Sequence, residues 1–202
     1  PLNYHRLTEN LSINGVRAFR LNRALVPTGE NAEWVDITYD GSLEVLDTGS
    51  FVNHKDADLL PQKMVKNDSF KVPTVSIEKL LTYDVFQQFL PSVDTPLLVK
   101  LDIEGLEFPI VKDLCNKLPI ENLVIFVEIL TDSVFNLIQK IALTSKTEAA
   151  LLYVDEYSLA LKDNTNENFQ FKDGCRNFIL CSRKRAEQIM RIQICDLLRA
   201  ME

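Results

Sequence analysis

Three carboxylates crowd the segment Lys100-Leu101-Asp102-Ile103-Glu104-Gly105-Leu106-Glu107, and a fourth, Glu128, interrupts the apolar run Leu123 to Ile129. Side chains alternate along a strand, so Lys100, Asp102 and Glu104 fall on one side and Val99, Leu101 and Ile103 on the other. Carboxylates that close together are costly to bury unless a cation or a shared proton lies between them. A cationic cofactor, a metal ion or Lys100 itself could serve. The plainer alternative is a salt-bridged turn, with Glu107 opening the next helix at the positive end of its dipole. A strand tolerates a charge such as Glu128 only where the sheet opens to a cleft or supplies a partner. Proton transfer and cation binding are the chemistries these groups suit.

The rest of the chain offers less. Cys115, Cys175, Cys181 and Cys195 form no CxxC pair, and the two histidines, His5 and His54, stand at no zinc spacing from them. They read as reduced, mostly buried thiols in a cytoplasmic setting, with no metal site. The net charge of −7, from 22 basic and 29 acidic residues, excludes a general nucleic-acid footprint. The local run Arg183-Lys184-Arg185 reads as a solvated helix start. No apolar run approaches the roughly 18 residues that span a bilayer, and no signal-peptide pattern opens the chain, so no membrane partner is expected.

The carboxylates need elements to hold them. Leu97 to Ile103 is the clearest strand, broken at Gly105 and followed by a helix over about 109–117. Leu123 to Ile129 is a second strand, followed by a helix over 133–143. This alternation predicts a parallel sheet covered on both faces, with ligands beyond the carboxyl ends of its strands. Upstream, 2–14 reads as a helix stopped by Asn14-Gly15, Val16 to Val26 as a strand, and Trp34 to Tyr39 as another. Asp40-Gly41 reads as a turn and Leu43 to Leu46 as a returning strand. Residues 47–68 read as a loop or lid, Phe70 to Val75 as a strand, and Ser76 as the N-cap of a helix reaching Leu81. Ala150 to Val154, Leu159 to Leu161 and Asn177 to Cys181 read as strands of an antiparallel edge. A last amphipathic helix carries Ile189, Met190, Ile194, Leu197, Leu198 and Met201.

Lys100-Leu101-Asp102-Ile103-Glu104-Gly105-Leu106-Glu107 resembles the hallmark of FkbM-type S-adenosylmethionine-dependent methyltransferases, a strand ending in Lys-hydrophobic-Asp-hydrophobic-Glu-Gly-x-Glu. Val75-Ser76-Ile77-Glu78-Lys79-Leu80 is similar to the Thr-Leu-Asp-x-Leu segment that precedes it, and Phe126-Val127-Glu128 to the next strand. Pro1-Leu2-Asn3-Tyr4, Leu7, Asn10 and Asn14-Gly15 look like the helix after the second Rossmann strand. Arg23-Ala24-Leu25 resembles the segment beside the adenine. The likeness spans about residues 1 to 130 in good order.

The resemblance implies an α/β fold with a Rossmann-like methyltransferase sheet, mostly parallel with an antiparallel edge and helices on both faces. It implies that the N-terminal strands, with their glycine-rich turn, lie before Pro1, so that this stretch by itself holds the cofactor poorly. Residues 1–185 would form the methyltransferase-like domain, with 186–202 a helix packed on it. The implied cofactor is S-adenosylmethionine and the implied reaction O-methylation of a small-molecule or glycan acceptor. Asp102, Glu104 and Glu128 would line the acceptor side, and Asn22, Ala24 and Asp102 would touch the cofactor. A non-catalytic scaffold of the same fold is the alternative, and the terminal helix leaves a homo-oligomer open. A metal-dependent sugar-nucleotide enzyme, with a divalent ion held by Asp102 and Glu104, is a third reading.

Overall fold

The computed structural model describes residues 2–30, 32–39, 51–52, 68–88, 94–103, 105–144, 148–155, 160–165, 171 and 176–191. Helix α1 (Leu2–Ile13) opens the chain. It ends where Gly15 takes a φ of 64°, a left-handed closure that glycine adopts without strain.

Four strands make a first sheet: β1 (Ala24–Val26), β2 (Trp34–Tyr39), β3 (Phe51–Val52) and β4 (Asp68–Ser76), in the order β1-β4-β2-β3. Among the described residues its core comprises Ala24, Val26, Val35 and Val72. The strand expected over Val16 to Val26 shrinks to its last three residues. Residues 16–22 find no strand partner among the described residues, and Val16 and Phe19 stay more than half exposed. Without a neighbour to take its amides and carbonyls, extended backbone gains nothing over hydration. The returning strand expected over Leu43 to Leu46 lies outside the described residues; β2 pairs antiparallel with β3 and with β4.

Ser76 ends β4 and caps α2 (Ile77–Leu81), its hydroxyl accepting from the Lys79 amide at 3.2 Å. The one-turn helix α3 (Asp84–Gln87) follows. The second sheet contains β5 (Leu97–Leu101), β6 (Leu123–Glu128), β7 (Ala149–Asp155), β8 (Ala160–Asp163) and β9 (Asn177–Ser182), in the order β5-β6-β9-β7-β8. Helix α4 (Glu107–Lys117) links β5 to β6, and α5 (Asp132–Thr144) links β6 to β7.

Both sheets are mixed, which corrects the expectation of a mostly parallel one. Only β1–β4 and β5–β6 pair in parallel; the other described pairings are antiparallel. The reason is the position of β9. It runs between β6 and β7 and is antiparallel to both, so those two strands point the same way without touching. A reversed strand was expected at the edge, where β8 does sit, but β9 is interior.

Alternation along the strands gives each face its cover. Leu123, Ile125, Val127, Leu151, Phe178 and Leu180 pack with Ile110, Val111 and Leu114 of α4 and with Val134, Phe135 and Ile138 of α5. On the opposite face Val124, Leu152, Ile179 and Cys181 pack with Ala186 of α6 (Arg183–Arg191). Of the terminal helix, Ile189 packs on that cluster, whereas Ile194, Leu197, Leu198 and Met201 lie outside the described residues. The uncovered part of this face is at β5 and β6, where Leu98 is 65% exposed and Phe126 is exposed too. Burial pushes the Cys115 thiol up to about 11 and the Cys181 thiol to about 12, so both are inert at neutral pH.

Candidate functional site

β5 and β6 run side by side in register, Leu97 opposite Leu123 and Leu101 opposite Val127. Parallel pairing brings their carboxyl ends to the same edge of the sheet. Asp102 therefore follows the end of β5 next to Glu128, the last residue of β6, and each carboxyl group acts on the acidity of the other. Glu104 lies outside the described residues.

The two groups are pushed apart in acidity. Asp102 is held below the usual aspartate range, chiefly by the hydrogen bond from Lys100, whose Nζ lies 2.6 Å from Oδ2. Burial works against this and the Glu128 hydrogen bond works with it. Glu128 is pushed up, first by burial and then by its contact with the Asp102 carboxylate; Arg176 and Lys100 moderate the rise. The Arg176 guanidinium stands 4.0 Å from Glu128 Oε1. Of the two, Asp102 is thus made the stronger acid and Glu128 the weaker. The Asp102 side chain is 47% exposed and that of Glu128 27%, so the pair opens to solvent and is not sealed in the core.

Arg176 was not singled out by sequence reasoning. Its carbonyl accepts from the Ile129 amide at 2.7 Å, and the next residue, Asn177, stands opposite Glu128 in the β6–β9 register. Nothing local in the sequence signals this, because it depends on β9 entering beside β6.

Glu107 plays a different part. It is buried at the start of α4, and its carboxylate accepts from the Gly105 amide at 2.9 Å. Burial raises its proton affinity, partly offset by backbone hydrogen bonds from Glu107, Gly105 and Ile103. It closes the turn that leads away from Asp102, as the plainer reading of that segment expects.

The two residues assigned to the adenosine side are on the first sheet. Asn22 is exposed just before β1, while the Ala24 side chain is committed to the core with Val26, Val35 and Val72. Arg183, read as solvated, makes an ion pair with Asp163, which also accepts from the Thr165 amide at 3.0 Å. Among the described residues no group of three or more His, Cys, Asp or Glu is arranged to hold a metal ion. No described helix is long and apolar enough to cross a membrane.

Comparison of the chain with protein-family models, with curated proteins and with solved structures finds no match.

Proposed function

We propose that this chain belongs to an S-adenosylmethionine-dependent methyltransferase acting on a hydroxyl of a sugar or natural-product-like acceptor. The observation that carries the reading is the Asp102–Glu128 pair, two carboxyl groups shifted in opposite directions at the carboxyl ends of neighbouring parallel strands. Ligands of open α/β sheets gather at that edge, and environments that drive two titratable groups apart mark acid–base roles.

The residues present suit a cationic cofactor. Asp102 is ionised and half exposed, and it offers a sulfonium a favourable field without a large desolvation cost. On the adenosine side Asn22 has an amide to offer, while Ala24 could contribute only backbone, since its methyl is packed. The chemistry supplied by bound S-adenosylmethionine is an electrophilic methyl group.

This chain's own residues position and deprotonate. Asp102 accepts the proton of an acceptor hydroxyl. Glu128, the weaker acid of the pair, stands beside Asp102 and helps to orient the base. Lys100 holds Asp102 from its own side and keeps it ionised.

A charge-selective binding experiment tests this. Calorimetry on the longest natural form of the chain should show binding of both S-adenosylmethionine and S-adenosylhomocysteine. Asp102→Asn should weaken the cationic ligand about tenfold more than the neutral one, the equivalent of roughly 1.4 kcal/mol of lost attraction. Equal losses for the two ligands, or no binding of either, would defeat the proposal. The second reading, a non-catalytic module, is favoured by exposed Leu98 and Phe126 on the uncovered sheet face. Binding of the cofactor argues against it.

A further inference from the structure

A concave region of about 460 Å³ lies where β1, β2 and β4 meet α2, within the size range of small-molecule sites. Trp34, the only tryptophan of the chain, lines it with 55% of its surface exposed. Val35, its neighbour on β2, takes the core-facing position, so Trp34 presents an indole to the cleft at no expense to the core. Arg23 and Lys79 line the same space, as do Glu30, Glu33 and Thr74. Arg23 is tethered by a hydrogen bond from its Nη1 to the Thr74 carbonyl at 3.3 Å, leaving further guanidinium donors for a ligand. Lys79 is exposed and has no carboxylate partner among the described residues.

Neither Asp102 nor Glu128 lines this cleft. Glu78, next to Lys79, bridges to Lys117 at 3.5 Å, and Lys117 is the last residue of α4. That helix starts near the carboxyl end of β5 and delivers the chain to the beginning of β6. Lys79 therefore sits toward the amino ends of these strands, whereas Asp102 and Glu128 occupy the carboxyl ends.

A flat aromatic face, two cations and two carboxylates are the complements of the three parts of a nucleotide. The base stacks on an indole, the phosphate takes charge-assisted hydrogen bonds from Arg and Lys, and sugar hydroxyls donate to carboxylates. We infer that this cleft is a second site, for a nucleoside monophosphate, with the base on Trp34, the phosphate on Arg23 and Lys79, and the ribose on Glu30 or Glu33. Arg23 stands between Asn22 and Ala24, which the proposed function gives to the adenosine side, so competition with S-adenosylhomocysteine is needed to separate the two sites.

The single tryptophan makes the test direct. Adenosine monophosphate and uridine monophosphate are titrated into the whole chain while Trp34 fluorescence is followed, with adenosine and inorganic phosphate as controls. Saturable quenching is expected with the nucleotides. The apparent Kd should rise about tenfold in Lys79→Ala, an exposed position where the fold is not at stake. The same quenching should persist in Asp102→Asn. Absence of a saturable signal overturns the proposal, as does an unchanged Kd in Lys79→Ala. Equal binding of adenosine, or displacement of the nucleotide by S-adenosylhomocysteine, would also overturn it, because the cleft would then recognise the nucleoside alone.

Discussion

Asp102 and Glu128 carry opposite linkages to pH. The depressed Asp102 contributes stability above its unfolded value near 3.8, and this is lost as pH falls through the lower folded value. Glu128 behaves in reverse: its contribution is complete below the unfolded value near 4.5 and is lost as pH rises through the raised folded value. Near neutrality Glu128 therefore works against folding. Glu128→Gln, which keeps a donor for Asp102 and cannot ionise, should leave the melting temperature at pH 7 unchanged or raise it by about 2–4 °C, the equivalent of roughly 1 kcal/mol in a domain of this size. At pH 4 the gain should vanish. A loss of stability that is the same at both pH values would mark Glu128 as structural. On the proposed function the same variant loses turnover. The importance of Asp102 and Glu128 was legible in the sequence, because a charge ending an apolar run needs an explanation. Their mutual contact and the part of Arg176 were not, since both depend on which strands are neighbours.

At the scale of single elements, the turn between β5 and α4 is built by Gly105 and Glu107. Gly105 adopts a φ of 107°, which side-chain-bearing residues rarely take, and its amide is held by the buried Glu107 carboxylate. Glu107→Ala removes that acceptor and strands the amide. A destabilisation of about 1–2 kcal/mol follows, read as a fall of roughly 2–8 °C in melting temperature. Glu107→Gln retains an oxygen and should lose less. An unchanged melting temperature in the alanine variant would show that the cap is dispensable. Elements with strong local signals, such as the Ser76 cap and the apolar runs of β5 and β6, were readable from the chain. The stretch 16–22 misled, because alternating apolar residues propose a strand and only a neighbouring strand can realise it.

For the whole molecule, the decisive feature is β9. Its Phe178 ring packs 5.3 Å from Phe135, 5.6 Å from Tyr153 and 6.3 Å from Phe171, centroid to centroid. It thereby joins α5, β7 and β9 in one cluster. Phe178→Ala should cost about 3–5 kcal/mol and lower the urea midpoint without altering the denaturant slope. A cost below 1 kcal/mol would mean that the cluster is peripheral. Sequence order suggested that the late strands lie at the border of the sheet. The apolar run Phe178, Ile179, Leu180 and Cys181 is buried on both faces of the sheet, but its place between β6 and β7 is set by pairing that the run does not encode.

The interior place of β9 sets a timetable for synthesis. β6 and β7 lie about 10 Å apart, two strand spacings, and within the sheet β9 is the strand that bridges them. As the ribosome releases the chain from its amino end, β5, α4, β6, α5 and β7 all emerge while that gap is still open. Until Asn177 to Ser182 arrive, the facing edges of β6 and β7 hold unpaired amides and carbonyls, the kind of edge that recruits foreign strands. The nascent chain is thus most prone to aggregate in the interval between the emergence of β7 and that of β9.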